Sequence, residues 1–217
     1  MYINFNTPFS NIGCVSPSLR SLAASESEAM GSIWLPLLSL TVSSEVRKTV
    51  VIIGSSVANI YGNSDTATPG WAMLLAEHLQ IRGDFELINV SQDGADTQIT
   101  TNRFDSVVTP HNPSFVIIGL SLANEGLSDA AIGADETAIS SVVSSFIDGV
   151  ARIAAKAKAL GAVPIVAGVY PCDCYTTSSL NAALKSTNEE LQSKWGDRYI
   201  NFLPAVDGGN GKWRSGW

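Results

Sequence analysis

Residues 48–56 read Lys-Thr-Val-Val-Ile-Ile-Gly-Ser-Ser. The run Val50-Val51-Ile52-Ile53 is apolar without a break, where a strand with one wet face would alternate. A strand covered on both sides has this pattern, and such strands belong to parallel sheets packed between helices. It stops at Gly54-Ser55-Ser56, three residues suited to a tight exit from the sheet.

Outward from this strand the same rhythm repeats. Residues 85–90, 114–120 (Ser-Phe-Val-Ile-Ile-Gly-Leu), 162–169 (Ala-Val-Pro-Ile-Val-Ala-Gly-Val) and 199–202 read as four further strands. Between them lie helical patterns. Residues 71–80 set Trp71, Leu74, Leu75 and Leu79 on one face, after punctuation by Pro69 and Gly70. Residues 135–160 carry Ile139, Val142, Val143, Phe146, Val150 and Ile153 at three- and four-residue steps, with Gly161 as the stop. Leu180, Leu184, Leu191 and Trp195 mark another helix, closed by Gly196. Strands alternating with helices imply right-handed crossovers. The expected fold is α/β, a three-layer α/β/α sandwich around a flavodoxin-like five-stranded parallel sheet of order 2-1-3-4-5. Residues 47–217 make up this domain, and residues 1–46 a Ser-rich lead-in without sustained periodicity.

Bulk properties narrow the function. With 217 residues, a net charge of -7 and 15% charged residues, the chain is an acidic globular protein with scattered cations. Nothing in it could neutralise a run of phosphates, so nucleic acid is not an expected partner. Cys172 and Cys174 stand in a C-x-C turn and Cys14 is alone. Neither they nor His78 and His111 have zinc-site spacing, so no metal or cofactor is expected, nor a framework of disulfides. The apolar stretch 33–42 is broken by Pro36 and is shorter than the roughly 20 residues a membrane span requires. No transmembrane span is expected.

In an open parallel sheet, ligands bind beyond the carboxyl ends of the strands. Three polar segments share that edge: Gly54-Ser55-Ser56, residues 89–94 (Asn-Val-Ser-Gln-Asp-Gly) and Ala123-Asn124-Glu125. A hydroxyl on Ser56, a backbone N–H at Gly94 with no side chain in the way, and the Asn124 amide form a candidate nucleophile with an oxyanion hole. Each has an ordinary alternative, as a capping serine, a turn glycine and a loop asparagine bonded to local backbone.

These segments resemble the blocks of the SGNH, or GDSL-type, hydrolases. Gly54-Ser55-Ser56-Val57 is similar to that family's Gly-Asp-Ser-Leu turn, with Gly62 at a later glycine of the block; 89–94 resembles the second block and Ala123-Asn124-Glu125 the Gly-x-Asn-Asp third. The similarity runs from Thr49 to Trp217 and includes Val169-Tyr170-Pro171 and Asn201-Phe202-Leu203. It implies Ser56 as nucleophile, Gly94 and Asn124 as oxyanion donors, and a small acylated or acetylated ester as substrate. Ser55 stands where the family has aspartate, and Glu125 where it has a second aspartate. The family's last block, Asp-x-x-His, has no counterpart. Asp207 has Asn210 three positions on, His78 lies part-way along a helix, and His111 precedes the third strand on the opposite edge. The expectation is therefore a serine ester hydrolase whose catalytic His and Asp are lost by truncation. The alternative is a non-catalytic SGNH-like module that binds a ligand. A flavodoxin-like nucleotide site is disfavoured, because residues 54–62 contain neither G-x-G-x-x-G nor a phosphate-loop lysine.

Overall fold

A computed structural model describes residues 48–59, 70–129 and 135–214. The chain divides into two units, Met1–Ser44 and Glu45–Trp217, and every described residue belongs to the second. The lead-in 1–46, Gly62 and Pro69 lie outside the described residues.

Five parallel strands form one sheet: β1 (Lys48–Gly54), β2 (Phe85–Asn89), β3 (Phe115–Gly119), β4 (Val163–Ala167) and β5 (Tyr199–Ile200). Their order is β2-β1-β3-β4-β5, the order expected of the flavodoxin-like sheet. The unbroken apolar run of β1 is explained by its place. It pairs with β2 on one side (Ile52 beside Asn89) and β3 on the other (Gly54 beside Gly119), and both its faces are covered. Val51 and Ile53 join the larger core with Val116, Ile118, Phe104, Phe146, Val150 and Ile153. Val50 and Ile52 face the other way, with Ala58, Ala72, Leu79 and Ile117. Each such side chain contributes about 1.5–3 kcal/mol relative to exposure.

One helix, α1 (Trp71–Arg82), covers the smaller core, and three, α2 (Thr97–Val107), α3 (Glu136–Ala159) and α4 (Ser178–Trp195), cover the larger. A four-residue stub, α5 (Leu203–Val206), follows β5. Local sequence sets their ends. Asp96, Asp135 and Thr177 cap α2, α3 and α4 by accepting from Ile99, Thr137 and Leu180 N–H groups respectively. Gly161 and Gly196 follow α3 and α4 at φ of 79° and 52°, the region where a side chain is strained. α3 is long and apolar enough to cross a membrane, yet its apolar stripe is buried against the sheet.

Two features differ from the sequence reading. α2 was not anticipated; its sequence, Thr-Gln-Ile-Thr-Thr-Asn-Arg-Phe-Asp-Ser-Val, is mostly polar, and its inner face is largely threonine (Thr97, Thr100) with Phe104. On α1, Leu74 points outward and is 49% exposed, while Ala72 takes the buried place beside Leu79. Met73 and Ile81 are exposed on the same helix, so its apolar residues do not define a single face.

At the carboxyl end of the sheet β1 and β3 come unusually close. A β-carbon on Gly54 would collide with the Gly119 carbonyl, and one on Gly119 would press on Ala58 and the Trp71 ring. Gly54→Ala should therefore cost about 1–3 kcal/mol, the usual range for overpacking. Chemical denaturation compared with wild type measures it, and an unchanged midpoint would show that the strands can separate freely.

Three buried tyrosines add a pH dependence. Burial pushes the Tyr199 phenol up to about 12, partly offset by the Val169 backbone, and holds Tyr170 and Tyr175 higher still. Below the ordinary tyrosine value of 10.0 both folded and unfolded chains keep these protons, so the stabilisation is complete. Above it the unfolded chain loses protons that the folded chain retains, and stability falls as pH rises through the folded values. The urea midpoint should drop between about pH 9 and pH 11.5, less steeply in Tyr199→Phe. A flat profile over that range would contradict the burial argument.

Candidate active site

Three turns leave the carboxyl edge of β2, β1 and β3, adjacent strands roughly 4.8 Å apart. The first, after β1, begins with Ser55, whose N–H donates to Gly119 O at 2.9 Å. This bond turns the Ser55 side chain inward, and the residue is fully buried. Ser56 comes next, on a single short turn that ends at Ala58, and is exposed. Its hydroxyl has no hydrogen-bond partner among the described residues. Of the two serines, only Ser56 is accessible to a molecule arriving from solvent.

This turn is stitched to its neighbours. The Asn89 amide donates to Ala58 O at 2.6 Å, while its carbonyl oxygen accepts from Ser91 N–H at 3.0 Å. Asn59 Nδ2 donates to Asp93 Oδ1 at 2.8 Å, and Gln92 N–H to Gly54 O at 2.9 Å. From the α1 side, Trp71 Nε1 donates to Val57 O at 2.8 Å. The Trp71 ring lies 5.3 Å from Phe202, which in turn stacks on Tyr170 at 5.7 Å. Aromatic packing thus supports the serine turn from below.

The second turn carries Gly94 at φ 72°, exposed. That conformation explains the glycine. The Ala95 N–H closes the turn onto Gln92 O at 3.2 Å, whereas the Gly94 N–H has no acceptor among the described residues.

The third turn, Ala123–Leu127, is a wide single turn in which Leu127 N–H reaches back five residues to Leu122 O at 3.1 Å. Such turns interrupt regular structure and recur at functional sites. Asn124 stands on it, half-buried, and donates one amide hydrogen to Ala95 O at 3.1 Å. A primary amide carries two donors, so one remains. The second and third turns therefore meet directly, with Asn124 against the residue that follows Gly94. The Tyr175 ring is fully buried near Ser121 and Ala123, and burial keeps its phenol protonated.

The remaining sequence candidates lie elsewhere. His111 ends a turn before β3, next to the point where Ser114 N–H donates to Thr49 O at 2.8 Å, on the amino edge of the sheet. His78 is exposed in the middle of α1. The sheet separates His111 from Ser56 by about a strand's length, ~17–20 Å. Asp207 is a turn residue: its carboxylate accepts from Gly209 and Gly211 N–H groups at 3.0 and 2.9 Å. Among the described residues no three His, Cys, Asp or Glu side chains gather as metal ligands.

Sequence reasoning missed two features of this edge. Cys172 and Cys174 are joined by a disulfide in the loop after β4, where Cys172 N–H also donates to Gly211 O at 2.9 Å. A C-x-C pair signals neither a metal site nor a long-range bridge, so only coordinates reveal it. The other is Glu125, whose carboxylate reaches Thr97 across the edge.

The five-stranded parallel sheet with flanking helices is the α/β fold of the SGNH hydrolases. The sequence profile of the GDSL-like lipase/acylhydrolases matches residues 50–214, and the chain belongs to that family. No curated protein sequence matches it. Among solved structures it is similar to TesA (22% identity, TM-score 0.52, covering 77% of this chain and 86% of that one). It is also similar to a GDSL-like lipase from Bacteroides thetaiotaomicron (17%, 0.53, 77% and 75%) and to the SGNH-hydrolase family esterase AlinE4 (16%, 0.53, 75% and 80%). At these identities the structures speak for the fold alone.

Asn89 ties the serine turn to β2 by donating to the Ala58 carbonyl, and its own side-chain oxygen steadies the turn after β2 by accepting from Ser91 N–H. Asn89→Ala should lower stability by about 1–3 kcal/mol, since Ala58 O loses a partner. A calorimetric melting temperature equal to wild type would show that the bonds contribute nothing.

Proposed function

We propose that the chain is a serine ester hydrolase in which Ser56 attacks an acyl or acetyl ester. The Gly94 N–H and the Asn124 amide hold the oxyanion. One observation carries this reading: at one edge of one sheet, the Ser56 hydroxyl, the Gly94 N–H and the second Asn124 hydrogen all lack partners among the described residues. Burial of Ser55 supports the choice of Ser56, and family membership supports the reaction class.

The chemistry follows from these groups. Attack of Ser56 Oγ on the ester carbonyl forms a tetrahedral carbon whose oxygen becomes negative, and the alcohol leaves to give an acyl-serine. Water then attacks the acyl carbon and releases the acid and the serine. An oxyanion donor held in place is worth roughly 10²–10³ in rate. The proton of Ser56 needs a base, and neither His78 nor His111 stands at this edge. Without a base the residual advantage over water is only about 10³–10⁴.

Added imidazole supplies a proton acceptor as a small molecule. Hydrolysis of p-nitrophenyl acetate by this 217-residue chain should be slow, should rise with imidazole above the solution reaction, and should lose that excess in Ser56→Ala. Asn124→Ala should reduce the excess by about 10²-fold. Equal rates from wild type and Ser56→Ala, with and without imidazole, would remove the proposal. Saturable binding of an acylated ligand with no Ser56-dependent turnover would favour the non-catalytic module instead.

A further inference from the structure

Glu125 sits beside Asn124 on the Ala123–Leu127 turn, yet its carboxylate serves a different element. Oε2 accepts from the Thr97 N–H at 2.9 Å and Oε1 from the Thr97 hydroxyl at 2.6 Å. Oε1 also accepts from the Ser145 hydroxyl of α3 at 3.3 Å. Thr97 is the first residue of α2 and is buried, and a β-carbon on Gly149 of α3 would collide with its side chain. The carboxylate therefore fastens three elements at one point.

Three residues before Thr97 is Gly94, and between them Ala95 O accepts the Asn124 amide. Asn124 and Glu125, neighbours in the chain, thus grip the Ala95–Thr97 segment at two places two residues apart. We propose that Glu125 is a positioning residue for the oxyanion site, holding the Gly94 N–H and the Asn124 amide at one fixed separation. This rests on the ester-hydrolase reading for its effect on rate; the clamp itself does not. A carboxylate at a helix start also stabilises the helix, through the free N–H groups and the dipole. Asp96 does that for the same helix by accepting from Ile99 N–H at 2.7 Å, and it makes no bond to the Asn124 turn. Asp96 therefore separates helix stability from positioning.

The test compares Glu125→Ala, Glu125→Gln, the near-isosteric Thr97→Val and Asp96→Ala in the full chain. Amide hydrogen exchange at Gly94 and Ala95, and the Asn124 side-chain NMR signals, read the clamp without needing activity. Glu125→Ala and Thr97→Val should speed exchange at Gly94 and Ala95, and Glu125→Gln should restore most of the protection because an amide can still bridge to Thr97. Asp96→Ala should lower the melting temperature with little change at those two amides. In the imidazole-assisted reaction, Glu125→Ala should lower kcat by about tenfold or more with KM nearly constant, the pattern of a displaced donor. Wild-type exchange in both Glu125→Ala and Thr97→Val overturns the proposal, as does equal loosening by Asp96→Ala. If Glu125→Ala fails to fold, Thr97→Val and Glu125→Gln decide it. If no variant or wild type shows Ser56-dependent turnover, the hydrolase reading falls and the exchange data alone judge the clamp.

Discussion

The near-contact of the β1 and β3 backbones at Gly54 and Gly119 governs this edge of the molecule. Where two strands approach so closely that no β-carbon fits, the chain leaving the first must bend at once. Ser55 N–H takes the Gly119 carbonyl, the Ser55 side chain is driven inward, and Ser56 emerges at the rim. The exposure of one serine and the burial of its neighbour thus follow from backbone packing. The rest of the edge is organised around that exit, through Asn89, Gln92 and Trp71.

Two cores hold the sheet in unequal fashion. On the α2–α3–α4 side the inward residues of β1, β3 and β4 are nearly all inaccessible. On the α1 side Phe115, Ile165 and Phe202 are only partly buried. The oxyanion candidates belong to turns that rest on the better-packed side, since Leu122 and Leu127 flank Asn124 and both join the larger core. A group that must hold a developing charge without moving gains from such support, because preorganised dipoles need not reorient during reaction. The serine turn relies instead on hydrogen bonds to side chains and on the Trp71–Phe202–Tyr170 stack.

How much of this was legible depended on the signal each element carries. Buried parallel strands announce themselves by unbroken β-branched runs, so β1, β3 and β4 were readable from sequence, while their order came only with the flavodoxin-like fold expectation. α3 was equally plain, because its apolar residues recur from Ile139 to Ile153, about four turns. α2 was invisible for the opposite reason: its inner face uses Thr97 and Thr100, and its start depends on Asp96 and on Glu125, a partner 28 residues away for Thr97. Leu74 misled because α1 exposes apolar residues at several angles. The positions of Ser56, Gly94 and Asn124 at one edge were readable from topology. The bond that joins the last two, from Asn124 to Ala95 O, was not, since it depends on the wide turn after β3.

That turn also bears on the division of labour in the site. Serine hydrolase chemistry needs a nucleophile, a charge-stabilising pocket and a proton acceptor, and these can be built from different parts of a chain. The proposed nucleophile and oxyanion donors come from the exits of β1, β2 and β3, three adjacent strands at one side of the sheet, and these exits are cross-linked by main-chain bonds. Among the described residues the two oxyanion turns make no hydrogen bond to the segment after β5, which bonds instead to the loop after β4 through Cys172 and to α4 through Lys185, whereas the serine turn leans on that segment through the Trp71–Phe202 contact. Because the proposed oxyanion donors are held by the exits of β2 and β3, their contribution to rate is separable from that of a proton acceptor. A small-molecule acceptor can therefore reveal it, as the known residual catalysis of serine hydrolases stripped of a triad member leads one to expect.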